Sequence, residues 1–250
     1  MYPIIFTIPF VDFPISSFGL MMATGFLVGT WICAIRMREE GLDPDLATNL
    51  LLYVMLGGVF GSKLYYAVDV SIREGLPFTS LLFARDGITF YGGLIAGVGI
   101  GAIGCRINGI SVVTFMNCSA ISVAVGQALG RVGCFLVGDD YGYATDVPWA
   151  LAFPKGAPPT LATVHPTQLY EVAWLVPVAA FLWSRRRTSP FLFGEYLVLN
   201  GVGRIAVEIW RINERVALGM TEAQWIGAAL IAIGATSWIG FKRRARAAPA

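Results

Sequence analysis

Three charged residues interrupt apolar, glycine-rich stretches of this chain: Arg131 in GQALGRVGCFLVGDDYG, and Arg204 with Glu208 in NGVGRIAVEIWR. Each stretch is long enough to span or nearly span a bilayer. An arginine at bilayer depth costs at least ~2.5 kcal/mol, so it faces a partner or a wet cavity. A guanidinium presents a planar fork that donates two parallel hydrogen bonds, a geometry that suits phosphate. Two such forks point to a buried anionic ligand. Arg204, Glu208 and Arg211 are spaced i, i+4 and i+7 and share one helix face. Glu208 can fix one rotamer of Arg204 and offset part of its burial cost. The plainer reading is a self-neutralised pair that locks the helix to its neighbours. Arg131 has no acid within one turn on its own helix, so its partner is a distant carboxylate or a ligand anion.

Other groups able to move protons are few. His165, the single histidine, opens HPTQLYE and reads either as a capping, hydrogen-bonding residue or as a catalyst. Glu171 starts a span, where the positive end of the helix dipole favours a carboxylate, so it reads as a helix-start residue. Asp139 and Asp140 are loop acids, either solvated or part of a site. One histidine excludes a multi-histidine metal site, and Cys33, Cys105, Cys118 and Cys134 lack C-x-x-C spacing. No metal and no cofactor is expected.

The elements that must position these groups form a membrane bundle. The chain has 250 residues, 56% hydrophobic and 14% charged, with a mean hydropathy of +0.67. These values exclude a soluble globular domain and indicate a polytopic membrane protein. At about 20 apolar residues per crossing, seven spans are predicted, near 18–36, 48–67, 88–106, 112–134, 169–184, 191–210 and 223–241. The expected fold class is all-α integral membrane, a seven-transmembrane-helix bundle forming a single polytopic domain over 1–250.

Basic residues cluster in alternate loops: Arg36 and Arg38, Arg106, Arg185 to Arg187, then Lys242, Arg243, Arg244 and Arg246. The intervening loops carry Arg73, Arg85, Lys155, Arg211 and Arg215. By the positive-inside rule the N-terminus is outside and the C-terminus inside. The basic tracts read as topology determinants and anionic-lipid contacts, with no nucleic acid expected as a partner. Glycines four apart, such as Gly57 with Gly61 and Gly93 with Gly97, allow close helix packing. The G-x-G-x-x-G of Gly99, Gly101 and Gly104 follows no strand and lies in an apolar span, so a dinucleotide site is rejected.

Under this topology Lys63, Tyr91, Arg131, Asp139, His165, Glu171, Arg204, Glu208 and Arg211 converge at the level of the outer leaflet. The arrangement suits a phospholipid headgroup clamp. The long outer loop 135–168 reads as a lid or binding loop.

GRVGCFLVGDDYG, VPWALAFP, HPTQLYE and NGVGRIAVEIWR, with FYGGLIAG, SSFGLMMATGFLVG and LGMTEAQWIG, resemble bacterial prolipoprotein diacylglyceryl transferases, collinearly and over nearly the whole chain. The resemblance implies a multi-pass enzyme of the bacterial cytoplasmic (inner) membrane, with its active site facing the periplasmic leaflet. It implies transfer of the diacylglyceryl group of phosphatidylglycerol to the lipobox cysteine thiol of a preprolipoprotein signal peptide, with release of glycerol phosphate. The family's phosphate-binding arginines correspond to Arg131 and Arg204, its helix-six glutamate to Glu208, and the glycine closing its signature to Gly142.

The chain departs from the family pattern at several positions. Tyr91 stands where the family often has histidine before Gly-Gly, Phe18 replaces tyrosine, and Cys134 replaces asparagine. Asp139 replaces glutamate, and Asn200 replaces a tyrosine four residues before the helix-six arginine. The anion clamp is kept while much of the proton-transfer set has changed. On this assignment Arg204, Glu208, Tyr91 and His165 are catalytic, and Arg131, Arg204, Gly142 and Asp139 bind phospholipid. Tyrosine is a poor base at neutral pH, with a reference pKa of ~10, so His165, Asp139 or Glu208 are the candidates to take the thiol proton. The alternatives are a divergent paralogue that binds anionic phospholipid or lipidates another acceptor, and a small organic-anion transporter. No internal repeat favours the transporter.

Overall fold

A computed structural model describes residues 2–9, 13–84, 87 and 89–247. Arg85, counted among the outer-loop basic residues, lies outside the described residues. The chain is mostly helical. Among the described residues, five helices are long and apolar enough to cross a membrane: α1 (Ser17–Glu39), α2 (Leu46–Glu74), α4 (Phe90–Ile107), α5 (Val112–Val137) and α8, over Glu222–Arg246. Between them lie the short α3 (Phe78–Leu82), α6 (Thr167–Arg185) and α7 (Leu192–Val207), and α8 itself runs Glu222–Ala247.

Contacts divide the chain into two units, Met1–Ile32 with Ser119–Ala250, and Cys33–Cys118. In the second unit α2 and α4 meet through glycines. A Cβ on Gly57 would lie 2.8 Å from the Ala96 carbonyl oxygen, and one on Gly61 would collide with Gly92 and Ala96. Removing side chains there is what lets the two backbones touch. Cys33, Met37, Leu50, Cys105 and Cys118 form its core. Helix α2 outruns its predicted end near 67, because the turns beyond the apolar stretch are polar but still helical. Asp69 pairs with Arg73 at 2.8 Å, and Gly75 (φ 69°) ends the helix with its N–H on the Ser71 carbonyl.

The first unit holds the start of α1, most of α5, and α6, α7 and α8. Its core is Ile32, Ile121, Ala124, Val178, Leu182, Leu192 and Tyr196. Helices α7 and α8 pack glycine to glycine, with a Cβ on Gly234 only 2.6 Å from the Gly194 carbonyl. Among the described residues, three two-stranded antiparallel sheets accompany these helices: β1 (Ile4–Ile8) with β2 (Phe13–Ser16) ahead of α1, β3 (Leu151–Phe153) with β4 (Thr160–Val164) between α5 and α6, and β5 (Arg215–Ala217) with β6 (Met220–Thr221) ahead of α8. The loop 135–168 is structured, with Leu151 opposite Val164 and Phe153 opposite Thr160.

Candidate active site

The site lies in the first unit, where the end of α5, the start of α6 and the end of α7 are laced together by residues 139–143. Thr167 and Gln168, both fully buried in the first turn of α6, reach back to this loop. The Thr167 hydroxyl donates to the Asp140 carbonyl at 2.6 Å, and the Gln168 amide donates to that of Asp139. On the other side, the Gly142 N–H donates to the His165 carbonyl and the Tyr143 N–H to that of Trp210, each at 2.9 Å. Gly142 is required by this closeness, since a Cβ would run into the Trp210 carbonyl oxygen and sit 2.9 Å from the Thr167 methyl. The glycine that the family resemblance singles out is thus a backbone contact point.

Helix α7 ends at Val207, and a 3₁₀ turn over Glu208–Trp210 follows it. The predicted single helix face for Arg204, Glu208 and Arg211 is therefore corrected: Arg211 sits in extended backbone (φ −88°, ψ 150°). The tighter turn still returns its side chain to the same cluster.

That cluster is organised by Glu171. Its carboxylate is 7% exposed and takes Arg131 Nε on Oε2 at 2.7 Å. Its Oε1 takes Arg204 Nη1 at 3.1 Å and Arg211 Nη1 at 3.2 Å. Asp140 spans two of the same cations, Oδ2 to Arg131 Nη1 at 2.7 Å and Oδ1 to Arg211 Nη2 at 2.6 Å. Glu208, fully buried, stands 3.7 Å from Arg204 and 3.8 Å from Arg211, and accepts the Asn213 amide at 2.5 Å. Three guanidiniums thus face three carboxylates, and each buried charge has an opposite charge in reach.

The two loop acids differ. Burial pushes the Asp139 carboxyl up from its ordinary value, and its Oδ1 is buried without a hydrogen-bond partner. Burial acts the same way on Asp140, but Arg211 and Arg131 outweigh it and hold that carboxyl below the usual range. Cys134, Asp139 and Asp140 bring a thiol and two carboxylates within 4.8 Å of one another. The cation beside this group is the Arg131 guanidinium, 2.7 Å from Asp140.

The predicted residues divide clearly. Arg131, Arg204 and Glu208 meet in one network, with Asp139 and Gly142 in the loop that closes it. His165 lies at the edge of this region: its Nδ1 is 2.9 Å from the Tyr170 hydroxyl, which also accepts the Trp149 indole N–H at 2.7 Å. Tyr91 and Lys63 belong to the second unit. There Tyr91 packs edge-on against Phe90, and Lys63 donates to the Ala84 carbonyl at 2.5 Å.

The sequence placed Glu171 and Arg211 at the outer-leaflet level, but it read Glu171 as a helix-start residue and left Asp140 open between a solvated loop acid and a site residue. The signal for Glu171 was Arg131 itself, a buried cation that required a carboxylate from another element. Two openings adjoin the network. One, lined by Gln127, Glu171, Trp174, Asn200 and Arg204, has about 10 Å³, space for one water. The other, lined by Asp139, Asp140, Tyr141, Pro158, Arg211 and Asn213, has about 300 Å³.

The family profile of prolipoprotein diacylglyceryl transferase matches residues 3–240. The chain belongs to the prolipoprotein diacylglyceryl transferase family. The phosphatidylglycerol–prolipoprotein diacylglyceryl transferase of Clostridium tetani is 30% identical over 240 residues, covering 94% of this chain and 95% of its own. Those of Nitratidesulfovibrio vulgaris Hildenborough and Gloeobacter violaceus are 34% and 28% identical, covering 84% and 95% of this chain and 81% and 93% of theirs. Among the departures from the prolipoprotein diacylglyceryl transferase pattern, Phe18 packs against Gly133, and the Cys134 sulfur lies 3.8 Å from Arg131 Nη1. Asn200 lines the smaller opening.

Proposed function

We propose that this protein transfers the diacylglyceryl group of phosphatidylglycerol to the lipobox cysteine of a prolipoprotein, in the inner membrane with the site toward the periplasm. The carrying observation is the meeting of Arg131, Arg204 and Arg211 on one buried carboxylate, Glu171, in a chain of this family. The proposed topology has seven spans, N-terminus outside, with α6 and α7 as the fifth and sixth. Helix α7, with 16 residues, is about 24 Å long at 1.5 Å per residue, so its outer end would stop short of the full hydrocarbon thickness. That would leave Arg204 beneath the headgroup level, where a guanidinium needs an anionic partner.

In this reading the guanidiniums of Arg131 and Arg204 grip the lipid phosphodiester. The cysteine sulfur attacks the glycerol carbon that carries the phosphate, the new C–S bond forms as the C–O bond breaks, and glycerol phosphate leaves with the electron pair. Fixed cations facing the developing phosphate charge lower the barrier, commonly the largest single catalytic contribution. Glu208 and Glu171 hold the forks in orientation.

The thiol proton goes to a neighbouring base. A Trp N–H only donates, so with Tyr170 accepting from Trp149, the tyrosine proton is best satisfied by His165 Nδ1. That leaves His165 protonated at Nε2, a donor to substrate rather than a base. Asp139, with its raised pKa and unpartnered oxygen, takes the proton. Tyr91→Phe, which keeps the ring and removes the hydroxyl, tests whether Tyr91 takes part in proton transfer.

The test is transfer from labelled phosphatidylglycerol to a lipobox peptide by the purified protein. Arg204→Ala should slow transfer by about 10²–10³-fold. Wild-type transfer in that variant would end the clamp reading. Bound phosphatidylglycerol without any transfer by the wild type would instead indicate a lipid-binding paralogue.

A further inference from the structure

We infer that Asp140 is a displaceable stand-in for the substrate phosphate, and that Arg211 is the third guanidinium of the phosphate site. The inference rests on the proposed clamp and concerns how it opens and closes. Asp140 puts one oxygen on Arg131 at 2.7 Å and the other on Arg211 at 2.6 Å, the way two oxygens of a phosphodiester bridge two arginine forks. Three cations already face three carboxylates, so a phosphodiester can enter without excess negative charge only if one carboxylate leaves. One singly charged anion then replaces another.

Asp140 is the carboxylate able to leave. Glu171 and Glu208 are 7% and 0% exposed, whereas Asp140 is 42% exposed. It also borders the opening of about 300 Å³, which gives its side chain somewhere to go. The main chain need not follow, because the Thr167 hydroxyl pins the Asp140 carbonyl at 2.6 Å. A χ1 rotation therefore suffices. That same backbone sits at φ 60°, a region few non-glycine residues adopt, and there it aims the carboxylate between the two forks. The returning carboxylate would also help expel the product, a phosphate monoester that carries more charge than the diester and binds the exposed forks more strongly.

The experiment measures glycerol phosphate binding by titration calorimetry, and KM and kcat for phosphatidylglycerol, in wild type, Asp140→Asn and Asp140→Gly. The glycine variant also relieves the backbone, so it serves if the asparagine variant folds poorly. If Asp140 holds the forks about nine-tenths of the time, both variants should bind glycerol phosphate about tenfold more tightly. KM for phosphatidylglycerol should fall while kcat also falls, because product leaves more slowly. A merely structural role would leave that split unmoved. Unchanged or weaker glycerol phosphate binding in the variants, with wild-type transfer intact, would overturn the stand-in role. Absence of both binding and transfer in the wild type would instead overturn the clamp reading on which the inference depends.

Discussion

Arg36 and Arg131 are both arginines in apolar helices, and they are neutralised in opposite ways. Arg36, 1% exposed near the end of α1, pairs with Glu39, the last residue of that helix, and at 2.7 Å with Glu40 just past it. Arg131 pairs with Asp140 and with Glu171, nine and forty residues away on other elements. The two Arg36 pairs need only the last turn of α1 and the residue after it, because i,i+3 and i,i+4 side chains are neighbours along a helical turn. The Arg131 cluster exists only after α5, α6 and the turn after α7 have come together. Its carboxylates are shared among three cations, beside an opening. A local pair fixes an end of a helix; a shared, long-range set can exchange one anion for another.

The largest effect that would sharpen this contrast is at Glu171. Removing it in Glu171→Ala leaves three partly or wholly buried guanidiniums without their common partner. Breaking a buried pair in this way typically costs about 3–5 kcal/mol. Thermal unfolding in detergent should show a loss of that order, accompanied by loss of transfer. A stable and active Glu171→Ala protein would break the view of Glu171 as the organising carboxylate.

A smaller effect is expected at the other arginine. Arg36→Met keeps the bulk and frees Glu39 and Glu40, whose side chains are 19% and 45% exposed, to turn to water. A stability loss of about 1–3 kcal/mol is expected, with transfer per folded molecule unchanged. Activity falling in proportion to the Arg204→Ala variant would erase the distinction between the two regions.

The smallest effect is in the pH dependence. The folded-state pKa of Asp140 is depressed, so its stabilising contribution is present above the unfolded aspartate value of ~3.9 and is lost as pH falls through the folded value. Asp139 runs the other way: its raised pKa favours the folded state below the unfolded value, and that contribution fades as pH rises through the folded one. Unfolding temperatures of wild type and Asp140→Asn should therefore differ by a constant amount above pH ~4 and converge below it. A gap that instead opened on acidification would contradict the arginine-held carboxylate.

Much of the helical framework was legible in the sequence, because an apolar run of bilayer length leaves its backbone no better partner than itself. All five helices that meet the length and apolarity requirement coincide with predicted spans. The errors fell at ends. Helix α2 continued through Asp69 and Arg73, which hydropathy counts as departure from the membrane although they continue the helix. The β3–β4 hairpin went unseen because short paired strands in a long polar loop carry little periodicity.

The sequence by itself determined which residues are chemically out of place: Arg131, Arg204 and Glu208, charged groups whose cost in an apolar setting demands a reason. It also carried the family, through motifs spread over almost the entire chain. Only the tertiary structure decided who answers whom. Glu171 became the shared counter-ion, Arg211 joined from beyond the helix, and Asp140 came to bridge two forks. Those partnerships link residues up to forty apart, and their strength depends on distance and burial, quantities that spacing along a chain does not contain.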